Sequence, residues 1–278
     1  MIVGVVGLGL MGASFCMALK RIGQKVYGLD ISDYVQTYAL SNGIIDGALD
    51  AKSIPEIDVL VVSVFPESFA SAIEKILPRL KKGATVIDFC GTKRKIAKKM
   101  TEFSSRYKSV NFVGGHPMAG KEVSGIENAC ANLFEGASMI FVPVRIESSE
   151  LQKLKELFLS AGFDRVVETD SENHDAMIAY TSQLCHVVSN AFIKNSTAKK
   201  HFGYSAGSYK DMTRVARLDP VMWSELMSEN SDKLSAELDE LIRNLNDYKV
   251  ALENNGKQKL KALLTEGNRI KLSIDDKE

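Results

Sequence analysis

The chain has 278 residues, of which 45% are hydrophobic and 25% are charged, so it can bury one large core or two modest ones. Lysine plus arginine and aspartate plus glutamate each total 35, which makes the formal net charge zero. Proteins that bind nucleic acids or membrane surfaces usually carry a basic excess, so we expect neither partner. The four cysteines show no CxxC pair and no zinc-ligand spacing, which predicts no metal site and reduced thiols in the cytoplasm.

The first 19 residues carry no charge, a feature that signal peptides and membrane spans share. However, no basic segment comes before the apolar residues, and four glycines interrupt them at spacings that are typical of turns. A strand, a turn and a buried helix therefore explain this segment better than a membrane span does.

Strand and helix patterns alternate over the first two thirds of the chain. The apolar, β-branched segments predict strands at residues 2–6, 25–29, 57–64, 84–89, 110–113, 139–142 and 165–168. Helices are predicted at residues 10–22, with Gly23 as the stop, and from an N-cap at Ser32 to near Gly43. Because parallel neighbours need crossover helices, this alternation indicates a doubly wound, mostly parallel sheet.

The pattern becomes helical after about Thr169. Residues 171–195 and the chain from Pro220 onward contain no convincing strand, and apolar residues from Leu226 to Leu245 predict one long amphipathic segment. The sequence thus predicts an α/β fold with two domains. A Rossmann-type doubly wound sheet occupies residues 1–169, and an all-helical domain occupies residues 170–278.

A GxGxxG motif lies at residues 7–12, directly after the first predicted strand and at the start of the first helix. Such glycines permit a tight turn and a close approach of the backbone to a pyrophosphate, which the helix N-terminus stabilises. The alternative is that they only pack the helix on the sheet. The residues expected to bind the cofactor here are Gly7, Gly9, Leu10, Met11 and Gly12.

Asp30 ends the second predicted strand. A carboxylate at this position can accept hydrogen bonds from an adenosine ribose, and it repels a 2′-phosphate. No arginine or lysine lies between Asp30 and Asp50, so the usual phosphate clamp for NADP is missing locally. The sequence therefore favours NAD as the cofactor.

Two further segments look too specialised for a scaffold, one at residues 114–125 and one at residues 207–223. In the first, His116 follows directly after a predicted strand, where ligands bind in open α/β sheets. Pro117 confines the backbone of His116 to extended conformations. A histidine with an ordinary pKa near 6.5 is mostly neutral at working pH and can accept a proton.

These segments resemble the prephenate/arogenate dehydrogenase family over nearly the whole chain. The resemblance rests on GLGLMG at 7–12, HPMAG-x-E-x-SG at 116–125, a His-Asp pair and SxLxH at 174–186, and DMTRVA…DPxMW at 211–223. It implies a Rossmann domain that binds NAD and a helical domain that forms a homodimer. It also implies a small-molecule substrate, prephenate or arogenate.

The resemblance also implies roles for three residues. His116 is expected to accept the proton of the substrate's ring hydroxyl, and His186 to lie near the substrate and the nicotinamide. Arg214 is expected to hold a substrate carboxylate, since a planar guanidinium can donate two parallel hydrogen bonds. The alternatives are a histidine satisfied in a turn for His116, a core histidine for His186 and a surface salt bridge for Arg214.

Glu122, Asp211 and Trp223 correspond to residues of the family that form an ionic and packing shell around the site. The chain departs from the family at Gly91, where a serine commonly hydrogen-bonds the catalytic histidine. Thr92 is one candidate for that hydrogen bond and water is another. Two further departures are Cys185, where the family usually has proline, and Lys210, where arginine is frequent.

The reaction expected from the resemblance is oxidative decarboxylation of prephenate to 4-hydroxyphenylpyruvate, a step of tyrosine biosynthesis. Arogenate, which would give tyrosine directly, is the first alternative. Another two-domain Rossmann dehydrogenase, of the β-hydroxyacid or imine reductase type, and a non-catalytic NAD sensor are others. Because the chain ends soon after the helical region, we expect no separate ACT regulatory domain, and any tyrosine inhibition to act near the active site.

Overall fold

A computed structural model describes residues 1–275 of the chain. It divides into two compact units, residues 1–230 and residues from 231 onward. The first unit therefore includes the helices that follow the sheet up to residue 230. The sequence-predicted domain boundary after residue 169 stays a prediction.

The first unit is built on one eight-stranded sheet in the order β3-β2-β1-β4-β5-β6-β7-β8. The strands from β3 to β6 are all parallel, whereas β7 runs antiparallel to β6 and parallel to β8. The strands are β1 (Ile2–Val6), β2 (Lys25–Leu29), β3 (Gly47–Ala48), β4 (Val59–Val62), β5 (Thr85–Asp88), β6 (Asn111–Pro117), β7 (Ser138–Arg145) and β8 (Arg165–Glu168). The predicted doubly wound, mostly parallel sheet is confirmed.

Helices cover the sheet and then continue without further strands in the described part of the chain. The helices of the first unit are α1 (Leu10–Arg21), α2 (Asp33–Ser41), α3 (Phe69–Ile73), α4 (Arg94–Arg106), α5 (Ser148–Ser160), α6 (Ser171–Ile178), α7 (Cys185–Phe192), α8 (Gly207–Thr213) and α9 (Pro220–Glu229). A π-helical segment, Ala179–Leu184, joins α6 to α7. As predicted, the Ser32 side chain caps α2 by accepting a hydrogen bond from the Val35 amide.

Apolar side chains form two core layers, one on each face of the sheet. On one face Phe15 of α1 stacks on Phe158 of α5, with ring centroids 4.9 Å apart. On the other face Phe69 of α3 and Phe103 of α4 are buried. Because both faces are covered, the central strands consist almost entirely of apolar residues, which is why the sequence predicted them correctly.

Strand β6 is longer than predicted. It continues through Gly114, Gly115 and His116 to Pro117, so His116 is the second-to-last residue of the strand rather than a residue that follows it. The extra length comes from antiparallel pairing with β7, in which His116 lies opposite Ile140. Such pairing between distant segments is invisible in the local sequence, where two glycines and a proline disfavour a strand.

The predicted long amphipathic segment is interrupted at Asn230, between α9 and the next helix. The side chain of Asn230 is completely buried. Its amide nitrogen donates to the Asp175 carbonyl at 2.8 Å and to the Gln183 side-chain oxygen at 2.9 Å. These tertiary hydrogen bonds offset the loss of helical continuity.

The second unit contains two helices, α10 (Ser231–Glu253) and α11 (Lys257–Asp275). Asn255 adopts a positive φ of 50° in the turn between them, and the Gly256 amide donates to the Ala251 carbonyl at 2.8 Å. Several large apolar side chains of both helices are exposed, among them Leu245 and Leu272. None of the helices in residues 1–275 is both long enough and apolar enough to span a membrane.

Candidate active site

Two of the three motif glycines, which span the end of β1 to the first turn of α1, have no room for a side chain within the protein. Gly7 has a φ of +87°, and a Cβ there would lie 2.2 Å from the Ser63 carbonyl oxygen. A Cβ on Gly12 would lie 1.9 Å from the Gly7 carbonyl oxygen. By contrast, a Cβ on Gly9 would meet no protein atom within 4 Å. Packing alone therefore accounts for Gly7 and Gly12 but leaves Gly9 unexplained, and the open face at Gly9 suits a ligand that approaches the backbone closely.

The N-terminus of α1 has the properties of a phosphate site. Gly9 provides no side-chain cap, and the first turn contains no acidic residue. The amides of Leu10, Met11 and Gly12 thus begin a 12-residue helix without a side-chain acceptor. Such amides, together with the helix dipole, stabilise a phosphate anion. The loop therefore fits a dinucleotide pyrophosphate.

Asp30 follows β2 and ties that strand end to the glycine loop. Its Oδ2 accepts a hydrogen bond from the Leu8 amide at 2.8 Å, and its Oδ1 accepts one from the Ser32 amide at 2.9 Å. A carboxylate has about four lone-pair positions, so acceptor capacity remains for ribose hydroxyls. The neighbouring Ile31 side chain is fully exposed.

His116 lies at the carboxyl end of β6 and is half-buried. Its Nδ1 is 2.9 Å from Nε2 of His174 in α6. The other ring nitrogen of His174, Nδ1, is 2.7 Å from Oδ1 of Asp175. The three side chains therefore form a continuous hydrogen-bonded chain that holds the His116 ring.

A buried ion pair supports the backbone next to His116. Lys93 Nζ contacts Asp88 Oδ2 at the end of β5, and both side chains are completely buried. The other oxygen of Asp88 accepts a hydrogen bond from the Gly115 amide at 3.0 Å. The position of His116 thus depends on a buried charge pair one strand away.

The electrostatic surroundings keep the two histidines neutral. Burial, the adjacent His174 and the Lys93 cation hold the pKa of His116 well below its usual 6.5, although Asp175 opposes this effect. Burial also lowers the pKa of His174, despite its hydrogen bond to Asp175. A neutral imidazole is the form that can accept a proton.

Thr92 does not reach His116 in this structure. Its hydroxyl donates to Glu229 Oε2 at 2.6 Å, and the Nδ1 of His116 is occupied by His174 instead. A Cβ on Gly91, the glycine that precedes Thr92, would lie 3.1 Å from the end of the Leu226 side chain of α9, which would have to shift slightly to admit it. The loop after β5 therefore contacts α9 and supplies no hydroxyl to the histidine.

His186 lies on α7 and stacks on Trp223 of α9, with ring centroids 4.0 Å apart and a tilt of 32°. Its Nδ1 is 2.8 Å from the Ser182 carbonyl oxygen. Because a carbonyl only accepts, Nδ1 carries a hydrogen and donates it to Ser182, so Nε2 is the ring nitrogen that this hydrogen bond does not use. The structure thus brings together two of the residues that the sequence predicted for the site.

Arg214 and Glu122 also meet, at 2.8 Å between the guanidinium Nη1 and the carboxylate Oε1. Both are exposed, with 68% of the Arg214 side chain accessible, so part of the guanidinium remains free to bind a ligand. Helix α7 holds the backbone on either side of Arg214: Ser189 donates to the Met212 carbonyl and Asn190 to the Ala216 carbonyl, at 2.7 and 2.9 Å.

Asp211 is exposed on α8, three residues before Arg214. Sequence reasoning assigned no role to four further residues that lie around His116. They are Asp88, Lys93, His174 and Asp175. In the sequence these are ionisable residues near apolar segments. That pattern does not indicate which residues they contact. Within residues 1–275 no cluster of three or more metal-ligating side chains is present.

Comparison with known protein families decides the classification. Residues 15–167 match the model described as the nucleotide-binding domain of prephenate dehydrogenase. Residues 170–266 match the model described as its dimerization domain. The chain belongs to the prephenate dehydrogenase family. The second match assigns α6 to α10 and the first part of α11 to the family's dimerization domain.

Individual members of the prephenate dehydrogenase family resemble the chain over most of its length. Prephenate dehydrogenase of Bacillus subtilis is 29% identical over 266 residues, which cover 91% of this chain and 71% of that protein. The Aquifex aeolicus prephenate dehydrogenase, solved with hydroxyphenyl propionate and NAD+, is 30% identical, with a TM-score of 0.84 and coverage of 99% and 98%. Synechocystis arogenate dehydrogenase is 26% identical, with a TM-score of 0.82 and coverage of 98% and 100%.

Proposed function

We propose that the chain catalyses the NAD-dependent oxidative decarboxylation of prephenate to 4-hydroxyphenylpyruvate in tyrosine biosynthesis. The observation that carries the proposal is His116, a histidine held neutral at the carboxyl end of a central strand of the sheet. Ligands bind at this edge of open α/β sheets, and a neutral histidine there can act as a general base. Family membership favours this activity over the β-hydroxyacid and imine reductase alternatives.

The residues for NAD are those of the glycine loop and Asp30. Gly7, Gly9 and Gly12 allow the backbone to approach the pyrophosphate, the first amides of α1 bind it, and Asp30 accepts hydrogen bonds from the ribose. When bound, NAD supplies the hydride acceptor. The cofactor of the Aquifex aeolicus enzyme's complex is the same molecule.

The substrate is held and deprotonated by residues from both family domains. His116 accepts the proton of the ring hydroxyl, while Arg214 holds a carboxylate of the substrate. His186 presents Nε2 to the reacting ring, and Trp223 fixes the plane of the His186 ring by packing against it. Glu122 supports the Arg214 guanidinium. Asp211 and Thr92 contribute to the polar surroundings rather than to the chemistry.

Arogenate is the second candidate substrate, and it differs from prephenate by an amino group in place of a keto group on the side chain. The Synechocystis relative is named an arogenate dehydrogenase, which keeps this candidate open. The decisive experiment measures NAD reduction at 340 nm with each substrate in parallel. Reduction with prephenate at a higher kcat/KM than with arogenate is expected, and no reduction with either would refute the proposed activity.

We also propose a homodimer in the cytoplasm, with a domain boundary at residues 169/170. The second family model is named a dimerization domain, and the apolar side chains exposed on α10 and α11 offer a surface that a second copy can bury. The boundary lies between the two family matches, since the first ends at residue 167 and the second begins at residue 170. All four cysteines are free thiols, which suits a reducing compartment.

Arg214→Lys is expected to raise the KM for the substrate roughly ten- to a hundredfold, because lysine keeps the charge but cannot donate two parallel hydrogen bonds. The KM for NAD should change little. Steady-state kinetics at saturating NAD measure both effects. The matched control is Lys210→Ala on α8, and a larger rise in KM for this control than for Arg214→Lys would show that the carboxylate partner is misassigned.

Cofactor choice is expected to depend on Asp30. The wild type should use NAD much better than NADP, and Asp30→Ser combined with Ile31→Arg should narrow or reverse the ratio by removing the repulsion and adding a phosphate partner. Because Asp30 also anchors the Leu8 amide, the double variant should bind NAD about ten- to a hundredfold more weakly.

Ile31→Arg alone is the control for the cofactor experiment, because it keeps the Asp30 carboxylate and the hydrogen bond that this carboxylate accepts from the Leu8 amide. It should retain NAD binding and gain little with NADP. Values of kcat/KM for both cofactors decide the result. Equal efficiency of the wild type with NAD and NADP would show that Asp30 does not face the ribose.

A further inference from the structure

The hydrogen-bonded chain that holds His116 begins at the Asp175 carboxylate, which the N-terminus of α4 fixes in place. Asp175 accepts hydrogen bonds from the amides of Lys93 and Arg94 at 2.7 and 3.0 Å, at the N-terminus of α4. The Arg94 side chain adds a third donor at 3.2 Å. Burial acts to raise the pKa of Asp175, but the hydrogen bonds from His174 and these amides outweigh it and lower the pKa below the usual 3.8. Asp175 is therefore an ionised group that only accepts.

The ionised Asp175 decides which nitrogen of His174 carries a hydrogen. Because Asp175 Oδ1 only accepts, the His174 Nδ1 that faces it at 2.7 Å must donate. His174 is completely buried and its pKa lies below the usual value, so the ring is neutral and its Nε2 has a lone pair. That lone pair faces Nδ1 of His116 at 2.9 Å, which must then be the donor.

We propose that His174 and Asp175 are positioning residues that hold His116 in the Nδ1–H tautomer and thereby make Nε2 its basic atom. This inference rests on the proposed function, in which His116 is the base. A histidine side chain otherwise exchanges between two neutral tautomers, and only one of them has its lone pair on the nitrogen that points away from His174.

The loop after β5 supplies no hydroxyl to orient the His116 ring. The family commonly places a serine at the position of Gly91, and the hydroxyl of Thr92 is committed to Glu229. The hydrogen bond that orients the ring therefore comes from the opposite side, through α6. When Nε2 of His116 gains the proton, two hydrogen bonds connect the positively charged ring to the Asp175 carboxylate, one to His174 and one from His174 to Asp175. This carboxylate opposes the unfavourable effect of the Lys93 cation, which is itself paired with Asp88.

The tautomer can be observed directly in the full-length protein. The chain has four histidines, so ¹⁵N NMR spectra of histidine-labelled protein can be assigned with single variants. Protonated and unprotonated ring nitrogens differ strongly in ¹⁵N shift, and His116 should show a hydrogen on Nδ1 and none on Nε2. A wild-type spectrum with the hydrogen on Nε2 of His116 overturns the proposal.

Two substitutions separate a tautomeric role from a merely structural one. His174→Leu removes the acceptor and should lower kcat/KM by up to about ten-thousand-fold, the loss in kcat found when the orienting carboxylate of a serine protease is neutralised. It should also shift the His116 tautomer, while the KM for NAD stays unchanged. His174→Gln offers an amide oxygen to His116 and an NH₂ group to Asp175, and it should retain activity within about tenfold of the wild type.

The control is His201→Gln, which changes a histidine that contacts Ser205 and Tyr209 instead of the His116 chain. It should leave kcat/KM and the His116 tautomer unchanged. Equal loss of activity in His174→Leu and His174→Gln contradicts the proposal. A wild type that is inactive with both substrates but shows the Nδ1–H tautomer refutes the proposed function and not the tautomer assignment. If His174→Leu fails to fold, the wild-type spectrum and His174→Gln still decide.

Discussion

His116→Ala is expected to lower kcat about a hundred- to ten-thousand-fold, which is the usual contribution of a general base. The affinity for NAD should change little, because the glycine loop lies at the end of a different strand, β1. Steady-state kinetics with prephenate and a separate NAD titration measure the two effects. His201→Ala serves as a control for the loss of an imidazole elsewhere, and near-normal turnover of His116→Ala would refute the assignment of the base.

The pH dependence of the wild type provides a second check on His116. The pKa of His116 lies well below 6.5, chiefly because of burial and then because of the adjacent His174 and the Lys93 cation, with Asp175 opposing. A base works only in its neutral form, so activity is lost as falling pH protonates it. We therefore expect kcat/KM to remain high as the pH falls through 6.5 and to decline only at lower pH. The residual activity of His116→Ala should lack this decline.

Lys93→Met is expected to reduce the free energy of unfolding by about 3–5 kcal/mol, since it leaves the Asp88 carboxylate buried without its counter-charge. Both side chains of the pair are completely buried, so water cannot replace the lost partner. Chemical denaturation measures the change, and the control Lys98→Met on the exposed face of α4 should alter stability by about 0.5 kcal/mol or less.

Combining Lys93→Met with Asp88→Asn should recover part of the lost stability. The asparagine removes the buried charge and keeps an oxygen that can accept from the Gly115 amide, but its NH₂ group cannot accept from the Cys90 amide as Asp88 Oδ2 does. Recovery of stability without recovery of kcat would show that the Lys93–Asp88 pair also contributes to catalysis by His116. If Lys93→Met is no more destabilising than Lys98→Met, the buried contact between Lys93 and Asp88 does not stabilise the fold.

The strands and the glycine loop were predictable because their causes are local. A strand that is buried on both faces needs consecutive apolar residues, as at Val59–Val62, and a tight turn with a positive φ needs glycine, as at Gly7. The two-residue strand β3, Gly47–Ala48, escaped prediction because it is too short to form any pattern. The break at Asn230 escaped it because distant hydrogen bonds cause it.

The candidate site was predictable only in part. The sequence, with its family resemblance, named His116, His186 and Arg214, because particular residue types recur in motifs of recognisable spacing. It offered Thr92 or water as the hydrogen-bond partner of His116, whereas the structure has His174 there, and it named no individual partner for His186 or Arg214. The pairing of Arg214 with Glu122 joins residues 92 positions apart, and the stacking of His186 on Trp223 joins two different helices. Neither contact leaves a trace in the local pattern.

By itself the sequence determined the doubly wound sheet and the dinucleotide loop, since each depends on residues that are neighbours in the chain. Only the tertiary structure decided which groups surround His116, the histidine that the family resemblance proposes as the proton acceptor. The Nδ1 partner of His116 is 58 residues away, and the Asp88–Lys93 pair acts on His116 through the Gly115 amide, 27 residues from Asp88. Desolvation, charge and hydrogen bonding at a buried ring are set by whatever the fold places within a few ångströms, and the order of residues along the chain does not specify those neighbours.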